Sequence, residues 1–170
     1  KLIDMAARCN ADAVKFQKRE ISWELTKEAY DRPYEGPNSF GQTYGIHREY
    51  LELNETQHRE LKEYAQAAGL IYFCTPCDPP SVDMLERIGN PIYKVASRDV
   101  TNIPLLRHLA KTGKPVILSS GMSSMQEITE AIEAFEGSDC PLTLMQCISE
   151  YPAKPENVNL RAMKTMRDQF

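Results

Sequence analysis

"IYKVASRDVTNIPLLRHLAKTGKPVILSS", residues 92–120, reads as strand, helix, strand. "IYKVAS" is rich in β-branched and aromatic residues and follows the turn-forming pair Asn90-Pro91, the marks of a strand. "IPLLRHLAKTG" has Pro104 in its first turn and Gly113 just past its end, as a helix starts and stops. "PVILSS" then repeats the first pattern. Both apolar runs are nearly continuous, which predicts strands covered on both faces, as in a parallel sheet.

The same unit recurs on either side. "AVKFQ" (13–17), "LIYFCT" (70–75) and "LTLMQC" (142–147) are further strand candidates. Strand starts at 70, 92, 115 and 142 lie 22, 23 and 27 residues apart. Helical patterns fill the gaps. "NETQHRELKEYAQAAG" has Asn54 or Thr56 as its N-cap and stops at Gly69. "SVDMLERIG" has Ser81 as cap and Gly89 as stop, and "SSMQEITEAIEAFEG" pairs Ser124 with Glu127 as a capping box. "PENVNLRAMKTMRDQF" is the last helix, and the opening "KLIDMAARC" reads as the middle of another, so a piece of a longer protein is expected. Even alternation of this kind predicts an α/β fold, either doubly wound or a (β/α)₈ barrel.

Two features favour the barrel. No GxGxxG or GxxxxGK turn follows a strand, so the nucleotide-binding fingerprints are absent. Polar residues collect instead at every strand's C-terminal end: Lys15 and Gln17, Thr75, Lys94 with Ser97 and Asp99, Ser119 and Ser120, Ser149 and Tyr151. Barrel enzymes place their sites on that rim. In Val14-Lys15-Phe16-Gln17 the strand period puts Lys15 and Gln17 on one face. A lone lysine is usually a surface lysine, but one placed among such neighbours suits an anion.

Composition narrows the partners. Of 170 residues, 42% are hydrophobic and 26% charged, a globular profile with one core. The net charge of −4 argues against nucleic acid or an anionic membrane as the main partner. No run of about 18 apolar residues spans a bilayer, and a cytoplasmic location is expected.

Five cysteines, Cys9, Cys74, Cys77, Cys140 and Cys147, are an odd number and mostly sit in apolar segments, so reduced buried thiols are expected. Cys74-Thr75-Pro76-Cys77 forms a CxxC. Zinc would want a second pair or a matched His, and His47, His58 and His108 lie far apart. The acid at Asp78 would raise a neighbouring thiol's pKa, which weakens a redox role.

Between the first two strands, residues 18–53 mix turn-formers with six aromatics from Trp23 to Tyr50. So long a loop is usually functional or disordered, and the aromatics argue for order. A loop packed over the rim against substrate is expected, and an inserted hairpin or helix that only packs is the plainer alternative.

Taken in order, "ADAVKFQ", "RPYEGPNSFGQTYGIHREYLEL", "CTPCD", "YKVASRDVTNIPLL", "GKPVILSSGMSSMQEI" and "QCISEYPAKPENVNL" resemble the sialic acid synthase family across the whole chain. The resemblance implies strands two to six of a (β/α)₈ barrel, a partial barrel that lacks the first strand and the last two, with a C-terminal antifreeze-like domain beyond it. It implies condensation of phosphoenolpyruvate with an N-acetylated hexosamine to a nine-carbon keto sugar acid, with release of phosphate. Lys15, Thr75, Lys94, Ser97, Ser119 and Ser149 would hold phosphoenolpyruvate. Gln17, Asn38 and Tyr151 would contact the sugar, and Asp99, Tyr151 and Lys15 would be catalytic. A divalent metal, Mn²⁺ or Mg²⁺, would polarise the sugar aldehyde, its ligand histidine lying beyond residue 170. A homodimer is implied at full length. Other outcomes are a synthase of another nonulosonic acid or spore-coat sugar, or a non-catalytic scaffold, and this chain alone is expected not to turn over. It departs from the family pattern in Cys77, where an aromatic is common, in the charged Arg98, and in Ser149, where Asn is common.

Overall fold

The computed structural model describes residues 1–170, which divide into two compact units, Lys1–Asn90 and Pro91–Phe170. In the first, α1 (Leu2–Arg8) leads into β1 (Ala13–Lys18). Three short helices follow, α2 (Ile21–Glu24), α3 (Lys27–Asp31) and α4 (Tyr44–Leu51). Then come α5 (Glu55–Ala67), β2 (Ile71–Pro76) and α6 (Pro79–Arg87). β1 and β2 pair in parallel, with Lys15 opposite Phe73 and Gln17 opposite Thr75. In the second unit β3 (Tyr93–Val95), α7 (Ile103–Ala110), β4 (Val116–Ser119), α8 (Met125–Glu133), β5 (Leu142–Met145) and α9 (Ala162–Gln169) alternate. β3 pairs with β4 and β4 with β5, both in parallel.

Local chemistry sets the boundaries. Asn54 caps α5 and Ser124 caps α8, each in a full capping box, with Gln57 and Glu127 as the reciprocal partners. α5 stops where Gly69 takes φ +76°, a left-handed backbone that glycine adopts without a Cβ penalty. One cap differs from expectation. α6 starts two residues before Ser81, and Asp78 is its N-cap, accepting from the Ser81 N–H at 2.8 Å. The missed signal is Pro79-Pro80, which suits a first helical turn because its missing N–H groups are orphans there anyway. The last helix is also shorter than expected. Asn159, at φ +48°, separates a 3₁₀ turn (Pro155–Asn157) from α9.

Each unit buries one face of its ladder. In the first, Tyr72 and Cys74 are buried on the face that Phe16 shares, and Phe16 stacks on Tyr72 at 5.4 Å. In the second, Tyr93, Val95, Val116 and Leu118 are buried, as are Leu105, Leu106 and Leu109 of α7 and Ala131 of α8. The opposite face carries Lys15, Gln17, Phe73 and Thr75 in one unit and Lys94, Ile117 and Ser119 in the other, since residues paired in register share a face.

The segment after β1 is not a bare loop. Thr26 and Thr43 cap α3 and α4 through their hydroxyls, accepting from Ala29 N and Ile46 N. Helices of four to eight residues are too short for apolar periodicity to show in a sequence. Its aromatics pack on one another: Tyr34 lies 4.5 Å from the buried His47 ring, and Phe40 stacks on Tyr50 at 4.8 Å. Gly45 makes room for Tyr30, whose ring atoms come within 2.1 Å of where a Cβ would stand. The inserted-helix alternative describes this segment better than a turn-rich loop does.

Candidate active site at the strand ends

In the first unit the strand period brings Lys15, Gln17 and Thr75 to one face, as expected. Lys15 and Gln17 are exposed, and Gln17 Oε1 accepts from Arg19 Nη2 at 2.9 Å. Thr75, only 1% exposed, has a buried hydroxyl oxygen with no hydrogen-bond partner. A buried polar atom in that state usually has a partner missing. Asn38 is exposed in the turn between α3 and α4.

The corner beside them is held by Asp78. Its buried carboxylate accepts from Ser81 N at 2.8 Å and from Glu20 N at 2.7 Å, tying the end of β1 to the start of α6. Arg19 pairs with Glu52 at 3.1 Å and Arg48 with Glu24 at 2.8 Å, which anchors α2 and α4 at the same end.

In the second unit a cation and three hydroxyls converge. Lys94 Nζ donates to Ser119 Oγ and to Val95 O, the latter at 2.7 Å. Cys147 Sγ donates to the same Ser119 oxygen at 3.4 Å. The Gly121 N–H donates to Ser97 Oγ at 3.1 Å. A Cβ on Gly121 would stand 2.8 Å from Ser97 Oγ and 3.0 Å from Ser149 Oγ, so these two hydroxyls flank one point. These residues come from β3, β4 and the segments after β3 and β5 and form two groups at the ends of the strands, Lys94 with Ser119 and Ser97 with Ser149, which the chain joins through Ser119 and Gly121 two residues apart. Gly121 and Cys147 belong to these groups and were not singled out from the sequence. The available signal was glycine directly after "SS" at a strand end, a place of close backbone approach.

Two other expected residues stand differently. Asp99 is buried on the 3₁₀ turn Ser97–Asp99, where Arg98 Nε lies 3.3 Å from its Oδ2. The extra charge of Arg98 is thus directed at Asp99. Tyr151 is 94% exposed, and the fold does not bring it into the cluster.

None of the five cysteines is in a disulfide. Burial pushes the Cys74 thiol up to about 12, against the downward pull of the Lys15 ammonium. Desolvation therefore does what the sequence reading assigned to Asp78. No three His, Cys, Asp or Glu side chains are grouped to hold a metal ion. No helix is long and apolar enough to cross a membrane.

Comparison with known proteins places the chain. The NeuB family model matches residues 2–170. The chain belongs to the NeuB family. It is 37% identical over 170 residues to N-acetylneuraminate-9-phosphate synthase of Homo sapiens, covering 100% of this chain and 47% of that protein. It is 36% identical over 176 residues to N,N'-diacetyllegionaminic acid synthase of Campylobacter jejuni, covering 100% of this chain and 52% of that one. Among solved structures, N-acetylneuraminic acid (sialic acid) synthetase from Leptospira borgpetersenii, in complex with citrate, superposes with TM-score 0.83 at 33% identity. That match covers 99% of this chain and 54% of the neighbour. The NeuB chain described here thus spans about half the length of the relatives it matches. The fold class expected from the sequence, α/β and part of a (β/α)₈ barrel, is that of this family.

Proposed function

We propose that this chain supplies the phosphoenolpyruvate-binding residues of a synthase that condenses phosphoenolpyruvate with an N-acetylated hexosamine. N-acetylmannosamine or a close relative is the sugar, and a nine-carbon keto acid such as N-acetylneuraminate is the product. The observation that carries this reading is the cluster of Lys94, Ser97, Ser119 and Ser149 at the C-terminal strand ends. It offers one ammonium and three hydroxyls, a set that suits a phosphate or carboxylate. In the first unit, Lys15 and the partnerless Thr75 hydroxyl are likewise groups that suit an anion.

In the reaction, the enol carbon of phosphoenolpyruvate forms the new C–C bond with the open-chain aldehyde carbon. Water adds to the oxocarbenium carbon, and the C–O bond to phosphorus-bearing oxygen breaks, releasing phosphate. Lys15 balances the substrate's negative charge as the C–C bond forms. Asp99, held by Arg98, exchanges a proton with the sugar oxygen. Gln17 contacts the sugar, whereas Asn38 and Tyr151 stand exposed and take no part in this reading. Relatives named for two different nonulosonic acids match at nearly equal identity, so a synthase of another nonulosonic acid, acting on a different N-acetylated hexosamine, is the second reading.

The test is titration calorimetry of phosphoenolpyruvate into the intact gene product. Lys94→Ala is expected to weaken binding about 10- to 100-fold, the loss of one charge-assisted contact. Unchanged affinity would overturn the assignment.

A further inference from the structure

Gly121 is buried just past β4, and its φ lies outside the left-handed region, so the backbone alone does not require glycine. Space requires it. A Cβ there would stand 2.8 Å from Ser97 Oγ, 3.0 Å from Ser149 Oγ and 3.3 Å from Ser97 Cβ. These separations are inside the roughly 3.5–4.0 Å at which non-bonded carbon contacts are favourable. Two hydroxyl oxygens from different elements therefore sit within 3.0 Å of one point only because that point is empty.

The same residue also sets a direction. An amide N–H can only donate, so Ser97 Oγ accepts from Gly121 and its own O–H is turned elsewhere. Ser119 is held the same way. The Lys94 ammonium, which has no acceptor capacity, and the Cys147 thiol both donate to its oxygen. Neither serine hydroxyl donates to an acceptor within the chain. The protein thus occupies lone pairs on both oxygens and leaves both protons to an incoming oxyanion.

We propose that Gly121 is a positioning residue for a phosphate-bearing substrate: its missing side chain keeps Ser97 and Ser149 together, and its N–H aims the Ser97 proton at the anion. This rests on the anion-cradle reading above. It adds a role that Lys94 and the serines do not reveal, because Gly121 itself need not touch the substrate.

The test compares Gly121→Ala with Ser97→Ala in the intact gene product. Phosphoenolpyruvate and inorganic phosphate are titrated by calorimetry, KM is measured separately for phosphoenolpyruvate and for the sugar, and thermal unfolding is followed without ligand. Gly121→Ala is expected to weaken both anions about 10- to 100-fold and to raise KM for phosphoenolpyruvate while leaving KM for the sugar near wild type. Equal rises in both KM values would mark general distortion and overturn the proposal. If Ser97→Ala weakens anion binding and Gly121→Ala does not, the cradle stands and the role of Gly121 falls. If neither does, both fall. Should Gly121→Ala not fold, wild-type protein labelled with ¹⁵N at glycine decides. The Gly121 amide must shift when inorganic phosphate polarises Ser97, and an unmoved resonance overturns the proposal.

Discussion

Thr75 shows how a single side chain separates stability from function. Its buried hydroxyl has no partner, a state that costs about 1–3 kcal/mol. Thr75→Val removes the hydroxyl at nearly constant volume. It is expected to leave ligand-free stability unchanged or raise it by about 1 kcal/mol, and to weaken phosphoenolpyruvate about tenfold. Thermal unfolding and titration on one sample check both, and a destabilised variant with normal affinity would make Thr75 a core residue only. His58 is the opposite case, buried chemistry with no part in binding. Its Nδ1 meets Tyr72 Oη at 2.6 Å. Burial, and then the Lys18 charge, lowers its pKa from 6.5 to about 4. The unfolded chain takes up the proton first, so stability is complete above about pH 6.5 and falls as pH drops toward 4, by up to about 1.4 kcal/mol per unit. His58→Gln should flatten the urea-midpoint profile over that window, and an unchanged slope would assign the acid sensitivity to other groups. That Lys15 and Gln17 share a face was legible because a strand's period is 2 whatever surrounds it. The orphaned state of Thr75 was not, because it depends on atoms distant in sequence.

Among the elements, α6 and its cap decide how the end of β1 is held. Asp78 accepts two backbone N–H groups, one within its own helix and one at Glu20, 58 residues away. Asp78→Ala leaves the buried N–H of Ser81 and the N–H of Glu20 without their acceptor. It is expected to cost about 2–4 kcal/mol, against about 1 for removing the more exposed cap of α8 by Ser124→Ala. Equal urea midpoints for the two variants would show that the Glu20 bond contributes nothing. α4 makes a second point. Helix propensity alone favours Gly45→Ala by about 1 kcal/mol, but the new methyl would overlap the Tyr30 ring at 2.1 Å. Overpacking of this kind typically costs about 1–3 kcal/mol, so a lower melting temperature is expected, and a higher one would show that Tyr30 moves aside freely. Capping boxes at Asn54 and Ser124 were readable because donor and acceptor are three residues apart. The Asp78 cap was half hidden by Pro79-Pro80, and the helices of residues 21–51 were hidden by their shortness.

Taken whole, the molecule leaves β5 at a sheet edge. Beside it a groove of about 730 Å³ is lined by Leu142, Leu144, Met145, Met163, Met166 and Phe170. Unpaired strand edges next to apolar surface favour association. The 170-residue chain is expected to self-associate with rising concentration in sedimentation velocity, and a single monomeric species throughout would count against an adhesive edge. The even strand spacing was enough to establish an α/β fold with parallel strands and polar strand ends, because periodicity and turn chemistry are local and written residue by residue. The same locality placed Thr75, Ser97 and Ser119 at or just past the ends of strands, while Lys15 and Lys94 lie within β1 and β3. Which of them meet is a different matter. Ser97, Ser149 and Gly121 come together, and Tyr151 and Asn38 stay exposed, because side-chain convergence depends on how separate strands stack in register and how closely their backbones approach. Gly121 was invisible as a functional residue for that reason: its contribution is an absence of atoms, which has meaning only once two serines from elsewhere in the chain stand on either side of it.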